Sequence, residues 1–139
     1  MTDPATVARS RTTGRFANIG LWVLQVVLAL FMGMAGAGKL AGTDESVQLF
    51  DDVGVGQWLR YVTGALEVAG AVGLLIPLLA GLAALGLAAV MVAAAVTDAF
   101  VLDEGNPVIP LVLAVLLLVV AWGRRSRTIE LSGRLHPRD

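Results

Sequence analysis

The chain contains no cysteine and only one histidine. Without cysteine it has no disulfide, no thiolate ligand for a metal and no thiol of its own for a redox relay. The histidine, His136, lies in the polar tail, so we expect no histidine-based haem or metal site within the apolar part of the chain. Phosphate-binding loops and nucleophile triads are also missing from the sequence. These absences do not favour a self-contained enzyme.

Charged residues are scarce as well. They make up 15% of the 139 residues, against about 25% in ordinary soluble domains. Hydrophobic residues reach 57%, with a mean hydropathy of +0.80. In lipid, the backbone must satisfy its own hydrogen bonds in helices or in a closed barrel. The unbroken apolar run 108–122 lacks the apolar–polar alternation of barrel strands. We therefore predict an all-α integral membrane protein.

Four apolar segments are candidates for membrane spans, because about 20 helical residues cross a hydrocarbon core of about 30 Å. They cover residues 19–38, 58–76, 81–100 and 108–122. The short turn over 77–80 forces an antiparallel hairpin. A further short helix, lying at the membrane interface with Thr43 as its N-cap, is predicted between the first two segments. The expected architecture is a bundle of four transmembrane helices.

The basic residues indicate the orientation. Three arginines precede the first segment and five follow the fourth, while the two loops on the other side carry six carboxylates. The positive-inside rule therefore places both termini in the cytoplasm. We predict a multi-pass protein of the plasma (cell inner) membrane. Residues 1–15 form a disordered cytoplasmic arm, residues 16–123 the membrane domain and residues 124–139 a basic cytoplasmic tail.

Glu67 is the most informative polar residue, since it lies near the middle of the second segment. An ionisable group at that depth is a functional-site hypothesis by default, although it can also serve only to fix helix packing. Arg60 and Thr63 share its helix face at spacings of seven and four residues. Lys39 and Asp98 lie at the outer ends of the first and third segments. These five residues predict a polar pocket opening to the outer face, with Lys39 and Arg60 as ion partners for Glu67 and Asp98.

Other polar and aromatic residues are assigned to packing and anchoring. Gln25, within the first segment, is expected to form a hydrogen bond between helices. The three tryptophans, Trp22, Trp58 and Trp122, lie near predicted segment ends and are typical of interface anchors.

Two short motifs resemble those of the DoxX family. The sequence GAGKL at 36–40 is similar to the glycine-x-x-lysine signature of that family, and GALEVAG at 64–70 is similar to its glutamate motif. The resemblance covers residues 16–123. It implies a four-helix membrane bundle in which Lys39 and Glu67 are the marked residues. It does not imply one activity, since members are associated with a thiosulfate:quinone oxidoreductase, with membrane oxidative-stress complexes and with chaperoning of membrane proteins.

Three functions remain open at this level. The first is an accessory subunit that binds a membrane-protein partner, or a second copy of this chain, through its small-residue faces and acidic outer segment. The second is an oxidoreductase component whose pocket binds a quinone or another lipophilic molecule. The third is a small proton-coupled transporter that uses Glu67 as a relay. The lipid bilayer is the expected surrounding, no metal or nucleic acid is expected, and a quinone is the one cofactor the sequence leaves open.

Overall fold

The computed structural model describes residues 3–135, with the side chains of residues 6–13 and 131 outside that description. Within these residues every element is an α-helix. The helices are α1 (Pro4–Ala41), α2 (Asp44–Val53), α3 (Gln57–Leu75), α4 (Ala80–Phe100), α5 (Val108–Gly123) and α6 (Arg125–Leu135). The prediction of an all-α chain is confirmed for this part. α1, α4 and α5 contain three of the predicted apolar segments, and α3 contains the second segment except for Ile76.

The structure differs from the sequence-based prediction at the start of the chain. We predict a disordered arm over residues 1–15, whereas α1 already begins at Pro4. The Oδ1 atom of Asp3 accepts a hydrogen bond from the backbone N–H of Ala5 at 3.0 Å, and proline occupies the first helical position. An aspartate N-cap followed by proline is a strong helix start. Residues 1–2 and 136–139, including His136, lie outside the described residues.

The predicted short helix between the first two segments is confirmed as α2. Gly42 ends α1 with a φ of 72°, a left-handed conformation that suits glycine. The Thr43 hydroxyl then accepts a hydrogen bond from the backbone N–H of Ser46 at 3.4 Å, as an N-cap does. Asp44 and Glu45 lie in the first turn, where carboxylates favourably oppose the helix dipole.

The four longer helices pack side by side around one apolar core. α3 packs along α1, α4 packs against both α3 and α5, and α5 also contacts α1. Large side chains that are almost fully buried form the core, namely Leu28, Met32, Leu74, Leu87 and Leu117. A turn that contains Pro77 separates α3 from α4 and keeps them antiparallel, as the sequence predicts.

The bundle has two distinct ends. At one end, which we call the termini end, the start of α1 meets the end of α5. An added Cβ on Gly123 would lie only 2.6 Å from Leu21 Cδ1, so glycine permits this approach. The opposite end, the α2 end, carries α2 and the loop between α4 and α5. There the loop passes so close to the backbone of Asp98 that a side chain at Gly105 would collide with it.

The outside of the bundle is strongly apolar. Phe16, Met34, Phe100 and Trp122 are each about 70% or more exposed. An apolar surface of this extent requires a lipid or protein environment. By length and composition, the part of α1 over Gly14–Ala41 and the whole of α4 are able to cross a membrane, and α5 with α6 adds a third candidate if the bent pair counts as one span.

By themselves, α3 and α5 do not reach the length and hydropathy expected of a membrane-crossing helix, and each has its own physical reason. α3 carries Arg60 and Glu67, whose charges lower its mean hydropathy. α5 has 16 residues, a length of about 24 Å at helical rise. A bend of 62° separates it from α6. Length and composition thus support two or three membrane-crossing helices rather than the full set of four.

Candidate functional site

A close crossing of α1 and α3 creates the site. An added Cβ on Gly36 would lie 2.7 Å from the carbonyl oxygen of Gly64 and 2.9 Å from Glu67 Cβ. A Cβ on Gly64 would in turn lie 2.9 Å from the carbonyl oxygen of Gly36 and 3.0 Å from Lys39 Cβ. The two glycines therefore face each other, and any larger residue would push the helices apart. Each glycine stands three residues before a charged residue, Lys39 on α1 and Glu67 on α3.

Lys39 and Glu67 form an ion pair across this crossing. The Lys39 Nζ atom lies 2.9 Å from Glu67 Oε2 and 3.2 Å from Oε1, so both carboxylate oxygens accept from the ammonium group. The Glu67 side chain is 2% exposed and that of Lys39 is 19% exposed. The sequence prediction gave Glu67 a cationic partner from Lys39 or Arg60, and the structure selects Lys39.

The direction of the side chains explains why this pair forms across antiparallel helices. In an α-helix the Cα–Cβ bond leans toward the N-terminus. Lys39, near the end of α1, therefore leans back toward the middle of the bundle. Glu67, in the middle of α3, leans toward the α2 end. The two side chains approach each other, and the pair is held below the α2 end rather than at its surface.

Arg60 has a different role from the one predicted. Its guanidinium donates to the backbone carbonyl of Lys39 at the end of α1 and, through Nε, to Gln57 Oε1 at 2.6 Å. Its Cζ also lies 4.3 Å from the centroid of the Tyr61 ring. The residue is only 5% exposed. Arg60 thus binds the C-terminal end of α1, where a cation is favourable, and forms no salt bridge among the described residues.

A cavity of about 430 Å³ lies beside the ion pair at the α2 end. Residues from α1 through α5 and from the α4–α5 loop line it, and most of them are apolar. Phe50 and Leu49 of α2 contribute to the wall at the α2 end, while Met32 and Met91 line the part near the core. Phe31 and Leu66, which also line the cavity, are about half exposed. The cavity is therefore open on part of its side.

The polar residues of the cavity are few. Four of the five predicted site residues line it, namely Lys39, Thr63, Glu67 and Asp98, and Arg60 does not. Thr97, which the sequence analysis did not single out, also lines it. The hydroxyls of Thr63 and Thr97 donate to carbonyls four residues earlier in their own helices. Asp98 is half-buried and has no salt bridge or side-chain hydrogen bond within residues 3–135.

Comparison with known proteins agrees with this geometry. The model of the DoxX-like family matches residues 23–120, which include Gly36 and Gly64 of the helix crossing and the Lys39–Glu67 ion pair. The chain belongs to the DoxX-like family. The resemblance seen in the two sequence motifs is thereby confirmed. No curated protein and no solved structure matches the chain.

A second polar cluster of this DoxX-like protein lies at the termini end. Gln25, which is fully buried, donates from Nε2 to the carbonyl of Leu74 at 2.7 Å, which confirms the predicted hydrogen bond between helices. Its Oε1 atom accepts from Arg124 Nε at 2.7 Å, and Arg124 Nη1 donates to Asn18 Oδ1 at 2.6 Å. Burial, together with the nearby Arg127 guanidinium, lowers the pKa of Arg124 from its ordinary value.

The sequence analysis missed this role of Arg124. It treated all five arginines of the tail as a topology signal. Arg124 lies four residues beyond the matched family segment, and 99 residues separate it from Gln25 in the chain. The only available signal was Gln25 itself, a buried amide that needs partners for both its oxygen and its nitrogen.

Proposed function

We propose that this DoxX-like protein is a multi-pass plasma membrane protein in which α1, α3, α4 and α5 all cross the bilayer. Its apolar exterior and its packing as one bundle support this arrangement for α3 and α5 as well as for the two longer helices. The charges of α3 do not oppose it, because Arg60 and Glu67 are 5% and 2% exposed and face protein rather than lipid. The arginines at the termini end support a cytoplasmic location for both termini.

Cysteine labelling tests this topology directly, because the chain has no cysteine of its own. Single cysteines replace Glu45 and Asn106 at the α2 end, and Ser10 and Ser132 near the termini. A membrane-impermeant maleimide should label Glu45→Cys and Asn106→Cys in intact cells, and all four only after the membrane is opened. Labelling of Ser132→Cys in intact cells would refute the four-span topology.

We further propose that the cavity at the α2 end binds a lipophilic small molecule with a polar head group, for which a quinone is one candidate class. The supporting observation is the buried Lys39–Glu67 pair beside a mostly apolar cavity. A volume of about 430 Å³ lies within the range of small-molecule sites, which combine apolar walls with a few polar groups. A buried ion pair is rarely better for stability than apolar residues of the same volume, so its presence favours a role in binding.

A binding experiment tests this function. The purified protein in nanodiscs is titrated with decylubiquinone, and binding is read from the rise in melting temperature. Ala94→Phe should reduce affinity at least about tenfold, since Ala94 lines the cavity and a phenyl group would fill part of it. Ala89→Phe is the matched control, because Ala89 is an exposed residue of the same helix that does not line the cavity.

Two outcomes would contradict the binding proposal. One is an absence of saturable binding by any lipophilic probe. The other is binding that Ala94→Phe and Ala89→Phe weaken equally, which would place the probe on the lipid-facing surface.

In a redox or proton-coupled form of the function, Glu67 would hold or release the proton that accompanies the bound molecule. Glu67→Gln should then keep the fold and lose the activity.

The accessory-subunit function is a second candidate, which the surface of α2 supports. Asp44, Glu45 and Asp52 are exposed on this short helix and face away from the bundle. We propose that a membrane-protein partner, if there is one, contacts this acidic surface. Affinity purification in mild detergent tests the idea. A partner recovered with the unmodified chain should be lost when the three carboxylates are replaced by amides, and recovery of this chain alone would count against it.

A further inference from the structure

The charges that line the cavity do not balance. Three charged residues line it, namely Lys39, Glu67 and Asp98. Lys39 and Glu67 neutralise each other, because both oxygens of the Glu67 carboxylate accept from the Lys39 ammonium group. Of the two carboxylates that line the cavity, Asp98 is the one without an ion partner among the described side chains.

Among the described side chains, no other cation lines the cavity to compensate Asp98. Arg60 is the nearest candidate by sequence reasoning, yet its guanidinium binds the Lys39 carbonyl and Gln57 and does not line the cavity. The hydroxyl of the neighbouring Thr97 donates to the carbonyl of Ala93. Asp98 is half-buried, and the backbone of the α4–α5 loop packs closely against its own backbone at Gly105. The backbone of Asp98 is thus held at the α2 end of a mostly apolar cavity.

The remaining walls suit a hydrophobic cation. Phe31 and Phe50 bring aromatic rings to the cavity, and Met32 and Met91 bring polarisable thioethers. Aromatic residues combined with one carboxylate are the usual surroundings of an ammonium group in a binding site. An anionic head group would instead meet Asp98 with no free cation to offset the repulsion, since Lys39 is engaged by Glu67.

We propose that the cavity selects an amphipathic cation, a lipophilic amine or quaternary onium compound, with Asp98 as the residue that determines this charge preference. The proposal rests on the lipophile-binding function given above and names the class of molecule bound. The apolar body lies among the aromatic and methionine side chains, and the cationic head lies at the α2 end beside the Asp98 carboxylate. Lys39 and Glu67 remain paired beside it.

Two probes of equal shape and opposite charge test the proposal. Tetraphenylphosphonium and tetraphenylborate are measured by equilibrium dialysis against the full-length protein in nanodiscs of phosphatidylcholine, with empty nanodiscs subtracted. The unmodified protein should bind the phosphonium at least about tenfold more tightly than the borate, as expected for one close charge contact away from water. Asp98→Asn should abolish this preference.

The controls separate failure of this inference from failure of the binding function. Asp103→Asn removes an exposed carboxylate that does not line the cavity, and it should leave the phosphonium preference intact. Equal binding of the two charged probes, or an unchanged preference in Asp98→Asn, would overturn the cation selectivity while decylubiquinone binding still supported the lipophile site. If no probe shows binding that Ala94→Phe weakens, the site itself is refuted. The melting temperature of Asp98→Asn without probe confirms that its fold is intact.

Discussion

Breaking the Lys39–Glu67 pair should have a large and specific effect on stability. Lys39→Met keeps a long unbranched side chain, one atom shorter than that of lysine, and removes its charge. Glu67, which is 2% exposed, would then lose both hydrogen bonds of its carboxylate and remain buried without a cation. Removing one partner of a buried ion pair costs about 3–5 kcal/mol. Because the Lys39 side chain is 19% exposed, we expect the lower end, about 3 kcal/mol.

Removing both charges should recover much of that loss. In Lys39→Met combined with Glu67→Met no buried charge is left unpaired, and apolar replacement of a buried ion pair is often close to neutral. The double variant should therefore be at least about 2 kcal/mol more stable than Lys39→Met alone. Arg127→Met is the matched control, since Arg127 belongs to an exposed ion pair with Glu130 at 3.7 Å. Its loss should cost less than about 1 kcal/mol.

The free energy of unfolding in mixed micelles, followed by tryptophan fluorescence during titration with sodium dodecyl sulfate, provides the measurement. The three tryptophans of the chain are not among the substituted residues. A double variant that is no more stable than Lys39→Met would refute the reasoning, because it would mean that the unpaired carboxylate was not the source of the loss. Equal losses in Lys39→Met and Arg127→Met would refute it as well.

Two further predictions concern the packing of the bundle. Gly36→Ala should destabilise the protein by about 1–3 kcal/mol, because the new Cβ would lie 2.7 Å from the Gly64 carbonyl oxygen. Gly86→Ala is the control and should be neutral or stabilising, because a Cβ there has nothing within 4 Å. Thermal unfolding compares the two variants, and equal effects on stability would contradict the close crossing. Gln25→Leu should cost about 1–3 kcal/mol, because it leaves the Leu74 carbonyl and a guanidinium N–H unpaired, while the exposed Gln48→Leu should change little. A Gln25→Leu protein as stable as the control would show that this buried amide does not hold the helices together.

The helices were largely predictable because their signals are local. Apolar runs, the turn at Pro77 and the threonine cap of α2 lie within a few residues of the boundaries they set, and α3, α4 and α5 begin within one residue of the predicted segments. The start of α1 was not predicted, although Asp3 and Pro4 carry a helix start signal. The polar composition of residues 1–15 favours disorder, whereas the capping residues favour a helix, and in the structure the helix forms.

The sequence predicted which residues form the site better than it predicted which of them contact each other. Burial within an apolar segment identified Glu67, and the glycine motifs identified its neighbours. Which cation pairs with Glu67 depends on the contact between α1 and α3, where Gly36 and Gly64 allow the helices to approach until Lys39 reaches the carboxylate. Helical spacing placed Arg60 on the same face of α3. It did not reveal that the C-terminal carbonyls of α1 would be there to bind its guanidinium.

The two polar clusters also differ in which helices they join. At the termini end, Arg124 and Gln25 connect α1, α3 and the end of α5 by hydrogen bonds, and Gly123 lets α5 contact α1 directly. At the α2 end, the Lys39–Glu67 pair joins α1 to α3 and does not include α4 or α5. A molecule bound in the cavity would therefore be in reach of the Lys39–Glu67 pair and of Asp98, the three charged residues that line it.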